Sequence, residues 1–172
     1  MATYDHTPAG RGYSSSFGYF HHANDYWTEA LQSCRPSSGG DSVTPVDLWD
    51  TNGPALGMNG SATNLSLANY EETKFAQRAL DVIARHNVSG GPLFLNYDFH
   101  LVHEPLEVPA VYYKQFDFMR DASPFIDKVH NVSTRQMYSA MVKVLDDIVG
   151  NLTAALKARG MWENTLVFLQ SE

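Results

Sequence analysis

The stretch Leu101-Val102-His103-Glu104-Pro105-Leu106-Glu107-Val108-Pro109 brings together the residue types of a reactive loop. An imidazole in such a loop can donate to an anion or move a proton near neutral pH. Pro105 and Pro109 fix their own φ and push Glu104 and Val108 toward extended backbone, which restricts where the loop can aim its side chains. A strand predicted over Pro92-Leu93-Phe94-Leu95-Asn96-Tyr97-Asp98-Phe99 leads into it, apolar and aromatic at its start. Open α/β sheets bind ligands on the loops at the carboxyl ends of their strands. The plain alternative is a surface loop with an incidental histidine.

Other residues with chemical potential read less sharply. Asp146 and Asp147 are neighbours on a predicted helix, so they point about 100° apart and form no paired-carboxylate site. His21 and His22 lie near Asp25, yet adjacent histidines rarely face one ion and no third ligand has suitable spacing. His6 and His130 sit in polar loops. The aromatic run Tyr13, Phe17, Tyr19, Phe20, Tyr26 and Trp27 reads as packing, and Trp49 and Trp162 as core or interface anchors.

The elements that must position the loop alternate in the α/β manner. Residues 1–66 are loop-rich, with Asp47-Leu48-Trp49-Asp50 as a short ordered island. Asn69-Tyr70-Glu71-Glu72 resembles a capping box opening a helix, on which Phe75, Ala79, Val82 and Ile83 recur at helical spacing. His86 and Asn87 close it, and Ser89-Gly90-Gly91-Pro92 turns into the strand. After a polar stretch over 114–132, Ser133-x-x-Gln136 caps a second helix. Its apolar face is Met137, Met141, Leu145, Ile148, Leu152 and Leu156, with Gly160 as its stop. Residues 164–170 read as a further strand. Helix–strand–loop–helix–strand over 69–172 predicts a parallel sheet covered by helices.

Composition narrows the class of function. The 172 residues are 44% hydrophobic and carry a net charge of −7 with no basic run, which argues against nucleic acid as a partner. No window reaches the roughly 18 apolar residues of a transmembrane span, and no signal peptide is visible at Met1. Ten Asn and 24 Ser or Thr predict roughly 1.4 Asn-x-Ser/Thr triplets by chance. Five occur, headed by Asn59, Asn64, Asn87, Asn131 and Asn151. Such an excess points to a glycoprotein that passes through the secretory pathway, lysosomal or extracellular.

Five segments in a fixed order carry a resemblance. They are Arg11-Gly12-Tyr13-Ser14-Ser15-Ser16-Phe17-Gly18-Tyr19, then Asp47–Asp50, then Leu101–Pro109, then Tyr138–Gly150, and last Gly160–Phe168. In this order and at these separations the chain resembles the middle of a type I sulfatase of the arylsulfatase B-like group. The resemblance implies an alkaline-phosphatase-like α/β fold with a central, mostly parallel sheet flanked by helices, of which residues 1–172 form part of one catalytic domain. It implies hydrolysis of a sulfate ester on a small molecule or glycan, a formylglycine nucleophile made from Cys-x-Pro-x-Arg, and a calcium ion.

Residue by residue, His103 matches the family histidine of the Val-His-x-Pro loop, which contacts the substrate sulfate. His100 lies off that position and reads as a strand-end or supporting residue. The nucleophile motif and the first metal-binding aspartates would precede Met1, so these 172 residues alone are expected to have no sulfatase activity. Glu172 aligns with a family aspartate that binds calcium, and a glutamate offers hard oxygens too. Cys34-Arg35-Pro36-Ser37-Ser38 imitates the nucleophile motif, but Ser38 stands where the arginine belongs and the segment lies on the wrong side of Arg11-Gly12-Tyr13. Two alternatives stay open: a phosphoester hydrolase of the same superfamily, and a non-catalytic sulfatase-like glycoprotein. The net charge of −7 counts against the second as a polyanion binder.

Overall fold

The computed structural model describes residues 3–20, 24–30, 48–55, 65–122, 126–127 and 132–171. Helix α1 covers Glu71–Arg85, α2 is the short turn Ala110–Tyr113, and α3 runs over Thr134–Ala158. Helix α3 packs against both α1 and α2, and the 3-10 stretch Lys114–Ala122 also lies on it.

The long helix follows its sequence signals closely. The Ser133 hydroxyl accepts the Gln136 N–H at 3.0 Å and so satisfies one of the helix's open donors. Gln136 does not reach back to complete a capping box. Its amide instead donates to the Tyr113 carbonyl and to Asp117, each at 2.9 Å, and ties α3 to the segment before it. At the other end Gly160 takes φ +65°, the Met161 N–H donates to Leu156 O, and the Gly160 N–H donates to Lys157 O. This is a Schellman stop, and the left-handed backbone explains the glycine. Ala140, Met141, Val144 and Ile148 are buried on the inner face, with Met137, Leu145 and Leu152 packed beside them.

Helix α1 departs from its predicted start. Tyr70 is the N-cap and makes no side-chain cap bond. Asn69 turns away and donates to the Trp27 carbonyl at 3.3 Å. Glu71 and Glu72 are fully buried, together with Ala76, Ala79 and Ile83. Phe75 packs edge-on against Phe17 and Tyr19, while Arg78 pairs with Asp50. The end of α1 is joined to that of α3 by an Arg159 bond to the His86 carbonyl at 2.8 Å.

The strands differ from expectation. Those described are antiparallel: β1 (Phe17–Gly18), β2 (Trp49–Asp50) and β3 (Gly53–Pro54) form one sheet, and β4 (Ile126–Asp127) pairs with β5 (Val132–Ser133). The central parallel sheet is not present among the described residues, and neither 92–99 nor 164–170 is a strand. A strand needs a neighbour to take its N–H and C=O groups, and no described segment pairs with either. Over 96–99 the side chains still alternate, with Tyr97 and Phe99 half-buried and Asn96 and Asp98 exposed, whereas Phe94 and Leu95 are both exposed. That is the two-residue period of extended chain. Leu166, Phe168 and Leu169 are almost fully exposed.

The smaller expectations resolve as packing and surface. Lys143 bridges Asp146 and Asp147, which remain solvated on α3. Tyr26 and Trp27 are buried in the core, whereas Trp49 and Trp162 are only half-buried. Asp47, His21, His22 and His130 lie outside the described residues.

Candidate functional site

The loop that carries His103 is fixed at both ends of its first turn. His103 N–H donates to His100 O at 2.9 Å and closes residues 100–103. On the amide side, one carboxyl oxygen of Glu72 accepts the N–H groups of His100 at 2.9 Å and Leu101 at 3.2 Å. On the carbonyl side, the Tyr26 hydroxyl lies within bonding distance of His100 O (3.1 Å) and His103 O (3.0 Å). Tyr70, the cap of α1, donates to Glu107 O at 2.8 Å, and the Tyr26 N–H donates to the Glu107 carboxyl at 2.9 Å. The chain before the loop is held too, since the Tyr97 hydroxyl donates to the other oxygen of Glu72 at 3.2 Å.

Four rings run through this region. Tyr70 stacks on Tyr26 with centroids 5.5 Å apart, Tyr26 on His100 at 4.3 Å, and His100 faces His103 at 5.9 Å. His100 is mostly buried and its Nδ1 meets Glu71, whose second oxygen accepts the Tyr19 hydroxyl. His103 is exposed. Its Nδ1 lies 2.7 Å from the Glu104 carbonyl, which can only accept, so Nδ1 carries a proton. Nε2 is then a donor in the imidazolium form, the form suited to an anion.

Burial sets the charges below the loop. It pushes the Glu71 carboxyl up to about 8 and those of Glu72 and Glu107 up to about 7. The same cause lowers the His100 imidazole and raises the phenols of Tyr26, Tyr70 and Tyr97 far above their ordinary range. In mildly acid solution the cluster is therefore largely uncharged, and an anion beside His103 meets little repulsion from the carboxyls underneath. Glu29 is also buried, but it is paired with Lys74.

A groove of about 1000 Å³ runs between Arg11–Phe20 and Pro92–His100. Its floor includes Phe75 and Val82 of α1, and it reaches His100, but His103 lies outside its lining.

The structure thus places His103 on an anchored, exposed loop and His100 in the supporting layer beneath. Cys34, Glu172, Asn59, Asn64 and Asn131 lie outside the described residues. Asn87 is exposed and opens a 3-10 turn, its side chain accepting the Ser89 N–H at 3.1 Å, and Asn151 is exposed in the middle of α3. The described residues do not fit a calcium site: they contain no group of three or more His, Cys, Asp or Glu able to hold an ion. Glu71 and Glu72 instead spend their oxygens on hydroxyl, imidazole and backbone donors.

The carboxyl layer is what sequence reasoning missed. One signal was available: Glu72, Ala76, Ala79 and Ile83 are spaced by four, three and four, which puts Glu72 on the buried stripe of α1. A capping-box reading of Asn69–Glu72 hid it.

Comparison with known proteins identifies the family. Arylsulfatase J of Mus musculus is 27% identical over 168 residues, covering 98% of this chain and 24% of that protein. The chain therefore spans about a quarter of the length of this relative. The sequence pattern of the Sulfatase family, which implies an alkaline-phosphatase-like α/β fold, matches residues 2–172. With nearly every residue inside that match, the chain belongs to the Sulfatase family.

Proposed function

We propose that this chain is part of the catalytic domain of a sulfuric ester hydrolase, and that His103 binds the sulfate group of its substrate. The observation that supports this most is the placement of His103: an exposed imidazole on a turn whose backbone is bonded from both sides. With Nδ1 donating to Glu104 O, protonation at Nε2 offers a sulfate oxygen a charge-assisted hydrogen bond. The same proton can pass to the leaving oxygen as the ester breaks. Loop anchoring limits the motion that would otherwise weaken either role.

In this reading the nucleophile is a formylglycine and the metal is calcium, both held by residues other than those described here. Calcium would supply positive charge at the sulfate oxygens. Glu172 remains a proposed calcium ligand. The central parallel sheet belongs to the same proposal, with 92–99 and 164–170 as members. So does secretory residence, lysosomal or extracellular, with Asn59, Asn64, Asn87, Asn131 and Asn151 as the acceptor sequences available to glycans. No helix among the described residues is long and apolar enough to cross a membrane.

The test is substrate choice by the full-length protein, expressed through the secretory route. Release of inorganic sulfate from 4-nitrophenyl sulfate, with 4-nitrophenyl phosphate left intact, is the expected result. Turnover of the phosphate ester alone would assign the site to a phosphoester hydrolase. No turnover of either, with bound sulfated glycan, would make it a binding protein.

A further inference from the structure

We propose that Glu72 and Tyr26 are positioning residues for His103, acting together as a clamp on the turn 100–103. The proposal rests on the reading of His103 as a sulfate ligand. Four backbone groups of this turn point toward the protein interior: the N–H groups of His100 and Leu101 and the carbonyls of His100 and His103. Glu72 accepts from the first two, and the single Tyr26 hydroxyl proton is shared between the last two, of which His100 O also accepts the His103 N–H. Both side chains are fully buried. They reach the turn from segments 28 to 77 residues away in sequence. Leu101, buried within the turn, adds an apolar anchor between them.

The chemistry of the two residues suits the task. A backbone N–H or C=O cut off from water costs about 1–3 kcal/mol if left unbonded, so a turn whose His100 and Leu101 N–H groups and His103 carbonyl turn to side-chain partners holds its shape only where those partners are fixed. A carboxyl oxygen has two lone pairs and accepts two N–H groups at once. Tyr26 is itself held by its stack between Tyr70 and His100 and by its own N–H bond to Glu107. Loops are ordinarily the mobile part of a fold, so a loop bonded on both faces is preorganised.

Three variants of the full-length protein test this: Glu72→Met, which removes the acceptor at similar volume; Glu72→Gln, which keeps one carbonyl oxygen for both N–H groups and an amide to meet Tyr97; and Tyr26→Phe, which removes only the hydroxyl. Two quantities are read, amide hydrogen exchange over residues 97–104 without substrate, and kcat and KM for 4-nitrophenyl sulfate. Glu72→Met should speed exchange at His100 and Leu101 about tenfold or more. It should lower kcat/KM by about 10- to 100-fold, chiefly through kcat. Tyr26→Phe should act in the same direction, and Glu72→Gln should recover slow exchange and most of the turnover. Turnover indifferent to Glu72→Met and Tyr26→Phe, or Glu72→Gln as damaged as Glu72→Met, overturns the clamp. Wild-type protein that hydrolyses no sulfate ester yet shows Glu72-dependent exchange keeps the clamp and sinks the sulfatase reading instead. Because Tyr26→Phe removes a single oxygen, it keeps the test decisive where Glu72→Met fails to fold.

Discussion

The imidazole of His100 lies flat on the ring of Tyr26, with centroids 4.3 Å apart and planes 8° from parallel. This pair joins the helix core to the exposed loop: Tyr26 is stacked on Tyr70 at the start of α1, and His100 begins the turn that ends at His103. Packed rings and two backbone carbonyls thus form a continuous path of contacts from Tyr70 to the turn of His103.

The buried carboxyls make stability depend on pH in a definite direction. Their ordinary value is 4.5, and burial raises Glu71 to about 8 and Glu72 and Glu107 to about 7. Between those limits the folded protein keeps protons that the unfolded chain has released, so stability falls as pH rises through the window. His100 is lowered from 6.5 and works oppositely, but only below 6.5. The melting temperature should therefore drop between pH 6.5 and 8, where His100 no longer opposes, and Glu71→Gln should flatten that slope. Differential scanning calorimetry across this range checks it, and a melting temperature that rises there contradicts the buried neutral carboxyls.

Truncation in the centre of α3 should be costly. Met141 is fully buried against the ring cluster, so Met141→Ala should destabilise by about 2–5 kcal/mol. Tyr138, exposed on the same helix, should tolerate alanine within about 0.5 kcal/mol. Urea titration of both variants distinguishes the inner face of α3 from the outer one.

The two ends of α3 carry separate terms. Ser133→Ala removes the bond to Gln136 N–H and should cost about 1 kcal/mol. Gly160→Ala forces a side chain into left-handed backbone at φ +65° and should cost about 1–2 kcal/mol. The sites are far apart, so the double variant should show the sum within about 0.5 kcal/mol.

These helix ends were legible in the sequence because each is a local signal: a serine three residues before a glutamine, and a glycine after the last apolar repeat. The 92–99 segment was legible only as extended chain, since pairing depends on a neighbour that no local pattern supplies. His103 could be singled out because prolines flank its loop and a family pattern surrounds it. Glu72 left only a faint trace, its place on the apolar stripe with Ala76, Ala79 and Ile83, while Glu71 and Tyr26 left none: adjacent charges at a helix start ordinarily face water, and what buries Glu72 and Tyr26 is a turn 29 and 74 residues further on.

Glycosylation should favour Asn87 over Asn151. Both are exposed, but Asn87 opens a short turn between α1 and the extended segment, whereas Asn151 is locked within α3. Acceptor asparagines belong to surface loops. In protein secreted from eukaryotic cells, Asn87→Gln should remove one glycan's mass from the intact protein, while Asn151→Gln should change little. Mass spectrometry before and after peptide N-glycosidase gives the answer, and an unmodified Asn87 would contradict it.

The most direct measurement of the central claim is the effect of His103→Ala on kcat/KM for 4-nitrophenyl sulfate in the full-length protein. Loss of an imidazole that binds the sulfate and supplies a proton should lower kcat/KM by about 10²–10⁴-fold. Because His103 is exposed and adds little to the core, the melting temperature should stay within a few degrees. Sulfate release at the wild-type rate from a folded His103→Ala protein would contradict the assignment.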